Sequence, residues 1–140
     1  MGLTPQSATA LGGYKVQART AEAARKLLDD ALALEAAGAF MIVVECVPAP
    51  VGGLVAGKVN VPVIGIGAGA DCNGQVLVFH DALGMFDRFT PKFVRRFAEV
   101  GRAAREGLEE YAAQVRDGRF PAPEHSFGMQ DEELRKIYGN

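Results

Sequence analysis

One carboxylate stands inside an apolar run. Residues Ala39-Phe40-Met41-Ile42-Val43-Val44-Glu45-Cys46-Val47-Pro48 are too few for a buried helix and rich in β-branched side chains, so they read as a buried parallel strand. Glu45 is the exception, near the downstream end of the segment. Buried glutamates are rare unless they are paired or used, and in parallel α/β folds ligands bind at the carboxyl ends of the strands. Two readings compete for it. It is a strand-end residue already turned into solvent or held by an arginine, or it is a general base, since partial removal from water makes a carboxylate a better proton acceptor.

The other side chains able to do chemistry are scattered. Gly65-x-Gly67-x-Gly69, followed by Ala70-Asp71-Cys72-Asn73-Gly74, could bring backbone close to a ligand and offer N–H groups to an anion. It lacks the spacing of a dinucleotide fingerprint, and a tight strand-exit turn explains it equally well. His80-Asp81 either reaches a ligand mouth or ties the imidazole to its neighbours. His125 lies in a proline-bounded stretch and reads as a surface or subunit-contact residue. Neither histidine has a metal partner at usable spacing, and no metal ligand is assigned in this sequence. Cys46 and Cys72 have neither metal-ligand spacing nor the density of a disulfide scaffold, and read as reduced thiols.

These residues need a scaffold, and the chain is long enough for one. Its 140 residues, 49% hydrophobic and 23% charged, fit a single domain with a real core. No apolar run approaches the roughly 20 residues that span a bilayer, and no basic segment precedes an apolar signal core, so the expected location is the cytoplasm. The net charge of −2 gives no reason to expect nucleic acid.

Residues 1–19 are glycine- and polar-rich and read as loop, of a length that is usually functional or ordered by a neighbour. Thr20 is a good N-cap for a helix with Leu27, Leu28, Ala31, Leu34 and Ala37 on one stripe, closed by Gly38. The strand over Phe40 to Val47 follows. Gly52, Gly53 and Gly57 predict a weak or frayed helix over 49–59. Val61 to Gly67 reads as a second buried strand with its proline at the start, and Gln75 to Asp81 as a third. Thr90-Pro91 reads as the start of a long helix, with Phe93, Phe97, Val100, Ala104, Leu108, Tyr111 and Val115 as a core-facing stripe and Gly118 as its close. Residues 121–140 form a tail with one more short helix over Asp131 to Tyr138. Strands alternating with helices across short connections predict βα units on a parallel sheet.

The motifs G-L-T-P-Q-S, G-G-Y-K-V-Q, V-E-C-V-P, P-V-I-G-I-G-A-G, Q-V-L-V-F-H-D and P-E-H-S-F occur together and in order. In this the chain resembles the ketopantoate hydroxymethyltransferases (3-methyl-2-oxobutanoate hydroxymethyltransferases) over nearly its whole length. The resemblance implies a (βα)8 TIM barrel that transfers a hydroxymethyl group from 5,10-methylenetetrahydrofolate to 3-methyl-2-oxobutanoate, on the route to pantothenate and coenzyme A. It also implies Mg2+, which chelates the keto acid and stabilises its enolate, and a homo-oligomer. Glu45, in Val44-Glu45-Cys46-Val47-Pro48, matches the family's catalytic base.

A barrel of this kind takes about 250 residues. The chain is therefore expected to be a partial barrel, residues 1–140 holding about the last three βα units. The family's metal-binding carboxylates, and the lysine and serine that hold the keto acid, are expected on the first four strands, outside this chain. The folate-contacting residues are not identifiable. The alternative is a non-catalytic half-barrel kept as an oligomerisation or binding module; a lyase or hydrolase of the related keto-acid barrels is disfavoured by the V-E-C-V-P and P-E-H-S-F motifs.

Overall fold

A computed structural model describes residues 1–139 and shows an α/β protein with a small parallel sheet. The chain divides into two compact units, Met1–Ala98 and Glu99–Asn140. No helix among the described residues is long and apolar enough to cross a membrane.

In the first unit, the expected loop holds a short 3-10 helix at Pro5–Ser7, followed by hydrogen-bonded turns. Helix α1 spans Ala21–Ala36. The Thr20 side chain accepts from the Ala23 N–H at 3.2 Å and so satisfies one of the orphan donors of the first turn. At the other end Gly38, at φ 95, closes the helix: its N–H donates to the Glu35 carbonyl and that of Ala39 to the Leu34 carbonyl, the paired bonds of a Schellman ending. Both predicted boundaries hold. Strand β1 is Ile42–Glu45, helix α2 is Ala49–Ala56, and strand β2 is Val63–Ile66. Strand β3 is Gly74–Gln75 and helix α3 is Phe79–Ala82.

The sheet has the order β1-β2-β3, all parallel, with Ile42 opposite Val63 and Glu45 opposite Ile66. Ile42, Val44 and Val63 on one sheet face pack with Ala31 of α1, Val55 of α2, and Val47, Val59 and Ala68 from the connections. Each valine or isoleucine among them contributes about 1.5–3 kcal/mol by leaving water. This cluster is the core.

Three expectations for the sheet and the helix between its strands need correction. The apolar run forms a strand only over Ile42–Glu45, and its burial alternates instead of covering both faces: Phe40 is 83% exposed and Val43 44%. Helices α1 and α2 contribute to the core on one face of the sheet; on the other, Val43 is exposed and Glu45, Ile64 and Ile66 are half-buried. Second, the helix expected over 49–59 does form, as α2, but ends at Ala56, and Gly52 and Gly53 in it make close contacts. A Cβ on Gly52 would run into the Ala68 carbonyl oxygen, and one on Gly53 would come 3.1 Å from the Asp71 Cβ. Third, the strand predicted from Gln75 to Asp81 is only β3. The ladder continues for one bond, Val76 N–H to Gly65 carbonyl at 3.0 Å, and then α3 begins. Val76 and Val78 are 44% and 51% exposed, and β-branched residues favour a strand only where a neighbouring surface receives them.

Thr90-Pro91 does not start a helix. The Thr90 hydroxyl accepts from the Arg96 guanidinium at 3.0 Å and caps no backbone, and the Phe97 N–H donates to the Ala82 carbonyl at 2.7 Å, pinning an irregular segment.

In the second unit, α4 spans Val100–Arg116 and α5 Asp131–Tyr138. Gly118, at φ 69, closes α4 as predicted. The stripe expected to be core is not: no residue of α4 is buried, and Leu108 is 68% exposed. Among the described residues this unit contains no strand for the helix to lie on. Tyr111 meets the Phe120 ring edge-on at 5.5 Å, and Phe120 meets His125 at 5.1 Å.

Candidate active site at the carboxyl end of β1

Glu45 is the last residue of β1 and is half-buried. Register places it beside Ile66, on the sheet face shared with Val43 and Ile64, opposite the helix-packed face. It thus ends a short apolar file with Val43, Ile64 and Ile66. Its backbone is held from both sides. The Glu45 N–H donates to the Met1 carbonyl and its carbonyl accepts from the Leu3 N–H, both at 2.9 Å, so Met1–Leu3 runs parallel to β1 through a single bridge at Gly2. On the other side the Cys46 N–H donates to the Ile66 carbonyl at 2.9 Å and the Val47 N–H to the Gly67 carbonyl at 3.2 Å. Gly2 is required at this approach, because at φ 81 its Cβ would strike the Glu45 carbonyl oxygen.

The local electrostatics follow from this packing. Burial pushes the Cys46 thiol above its ordinary range, and the neighbouring Glu45 charge pushes it further. Cys72 is raised in the same way by burial and then by Asp71. Burial holds the Met1 ammonium below its ordinary range, with Glu45 acting against that shift. Both cysteines are free. Raised thiols are poor nucleophiles.

The glycine loop after β2 closes on the protein itself. A Cβ on Gly67 would come 2.7 Å from the Phe93 ring, and one on Gly69 would collide with Ala49. The Gln75 side chain donates to the Gly69 carbonyl at 2.8 Å. These contacts favour the strand-exit reading of the three glycines over an anion cradle. Asp71 is exposed and lies against Gly53. His80 lies in α3 rather than at a strand end, exposed and edge-on to Phe79 at 5.7 Å. His125 belongs to the turn Pro123–His125, where its Nδ1 accepts from the Ala122 N–H at 3.2 Å. Among the described residues no group of three or more His, Cys, Asp or Glu side chains could hold a metal ion. The donor set of this chain does not by itself fit Mg2+, which takes six oxygens in near-ideal octahedral geometry.

Three participants escape a reading of the sequence. Met1–Leu3 pairs with β1, Phe93 covers Gly67, and Cys46 turns left-handed at φ 55. The first two are contacts between distant segments, which no local pattern encodes. Cysteine has no preference for positive φ, so the third leaves no compositional trace.

The ketopantoate hydroxymethyltransferase family matches residues 1–123. Over 138 residues the chain is 58% identical to the 3-methyl-2-oxobutanoate hydroxymethyltransferase of Heliobacterium modesticaldum, covering 99% of this chain and 50% of that one. It is 56% identical over 136 residues to the protein of that name from Oleidesulfovibrio alaskensis, 97% of this chain and 47% of the other. With the Clostridium botulinum protein of that name it shares 49% identity over 138 residues, again half of the relative. The chain spans about half the length of the curated relatives it matches. With most of its residues inside the family match, the chain belongs to the ketopantoate hydroxymethyltransferase family.

Proposed function

We propose that this chain is the C-terminal, base-bearing part of a ketopantoate hydroxymethyltransferase, holding about the last three βα units of a TIM barrel in one barrel domain, with 1–19 as a loop and 121–140 as a tail. The reaction moves a one-carbon unit at the oxidation level of formaldehyde from 5,10-methylenetetrahydrofolate to 3-methyl-2-oxobutanoate. Glu45 takes the proton from C3 of the keto acid, the C–H electron pair becomes the enolate, and C3 then bonds to the one-carbon unit. Water supplies the hydroxyl oxygen and tetrahydrofolate departs. The apolar file of Val43, Ile64 and Ile66 suits the branched end of the substrate. We place the ligands of the Mg2+ that this reaction uses outside this chain. We further propose that the protein works in the cytoplasm as a homo-oligomer.

The observation that supports this reading best is the position of Glu45: the one acid of β1, last on the strand, on the sheet face opposite the core. The test supplies the missing part as the portion of the Heliobacterium modesticaldum relative that this chain does not match. Exchange of the substrate's C3 proton in deuterated water then isolates the abstraction step. Glu45→Gln keeps the shape but removes the proton acceptor, and should slow exchange by about a hundred- to ten-thousandfold. Asp71→Asn should leave the rate near the parent's. The opposite ranking assigns the chemistry to the glycine loop, and no exchange from any reconstituted parent favours the non-catalytic module.

A further inference from the structure

Only two non-glycine residues among those described lie in the left-handed region, Ala18 at φ 54 and Cys46 at φ 55. Each brings its Cβ against the following carbonyl oxygen, a clash glycine avoids. They are far apart in sequence, yet one hydrogen bond joins their neighbourhoods. The Gln17 N–H, one residue before Ala18, donates to the Cys46 carbonyl at 2.9 Å. Strained conformations persist where surroundings over-determine them, and here they do. The Cys46 N–H is held by the Ile66 carbonyl, Ala18 packs against the core, and the Gln17 side chain donates to the Lys15 carbonyl at 2.8 Å.

The turn at Cys46 has a second effect. In an uninterrupted strand, residues 43, 45 and 47 would share one face. Instead Val47 is 4% exposed and belongs to the core cluster with Ile42 and Val44. The left-handed residue switches the chain's face immediately after Glu45 and leaves that carboxylate as the last β1 side chain of the face opposite the core.

We propose that Ala18 and Cys46 form a strained clasp that positions Glu45 and fastens the 1–19 loop to the carboxyl end of β1. The proposal rests on Glu45 being the base, and it makes Ala18 and Cys46 positioning residues. It requires a backbone shape at each position and not a side-chain function, and this gives an inverted ranking of substitutions. Valine nearly matches cysteine in size but resists positive φ, whereas glycine deletes the side chain and accepts it.

In the full chain, amide hydrogen exchange at Gln17 should speed up by about tenfold or more in Cys46→Val and Ala18→Val. In Cys46→Gly and Ala18→Gly it should stay within about twofold of the parent, and these two variants keep the test open if the valine variants fail to fold. In the chain completed by the unmatched part of the Heliobacterium modesticaldum relative, the valine variants should lose about tenfold or more in kcat for C3 proton exchange, as a misplaced base does, with KM little changed. The glycine variants should retain it. Fast Gln17 exchange in the glycine variants with parental exchange in the valine variants overturns the clasp, and this readout is independent of any catalytic assignment. Parental kcat in the valine variants, while Glu45→Gln abolishes proton exchange, overturns the positioning role and spares the base. Parental kcat in Glu45→Gln overturns the base and with it the positioning.

Discussion

Helix α2 carries two glycines among its eight residues and buries Gly52 and Val55, whereas α4, with seventeen residues and apolar side chains every third or fourth position, buries none. Helical periodicity records that a helix has a face to bury. Burial also needs a surface at the right depth. In α2 the missing Cβ atoms let the helix sit directly on the Ala68 carbonyl and on Asp71, so the residues that weaken the isolated helix are those that let it pack. In α4, Gly107 has open space where its Cβ would be, and there the glycine weakens the helix with no contact in return.

The contrast can be broken by substitution. The largest effect is expected for Gly52→Ala, where the added methyl meets a backbone oxygen and should destabilise the first unit by about 3 kcal/mol, read from the urea midpoint. An unchanged midpoint would show that α2 can retreat from the sheet, and the close-approach account would fall. Val55→Ala, removing buried methyls from the same helix, should cost about 2 kcal/mol. Gly107→Ala should work in the other direction, strengthening α4 by about 1 kcal/mol, visible as slower amide exchange along the helix. Leu108→Ala should change stability by less than about 0.5 kcal/mol, because the side chain is already in water. A loss as large as that of Val55→Ala would mean that α4 has a covered face after all.

The smallest effect sharpens the electrostatic side of the packed region. Cys46 should alkylate with a pH profile displaced above that of an ordinary thiol, and Glu45→Gln should move it only part of the way back, since burial is the larger cause. The sign for stability follows from the raised folded-state value: the contribution is present below the unfolded thiol's pKa of about 8.5 and lost as pH rises through the folded one. A profile that Glu45→Gln leaves in place would remove the carboxylate from the thiol's surroundings.

Legibility in the sequence followed the range of the interactions. The cap at Thr20, the endings at Gly38 and Gly118, and the strands around Val44 and Val63 are set by neighbours within a few residues, and these were readable. Glu45 stood out because a charge among β-branched residues is improbable by chance. Thr90-Pro91 misled because a competing partner, Arg96, takes the hydroxyl that would cap a helix. The Val76 to Val78 run misled because strand propensity states a fitness for a neighbouring surface, and the ladder ends too soon to provide it. The bridge at Gly2 and the left-handed Ala18 and Cys46 depend on contacts between segments tens of residues apart. Nothing local encodes them.

Phe93 lies in a stretch with no regular secondary structure, yet its ring rests where a side chain on Gly67 would have to be. Tolerance to substitution along 86–97 should therefore be uneven, with a narrow spike of intolerance at 93 matched by another at 67 and wide latitude at the exposed positions between 86 and 92. A comprehensive substitution scan would see the loop as two coupled points. Ring and glycine form a complementary pair, so that a smaller residue at 93 should partly restore a chain carrying Gly67→Ala.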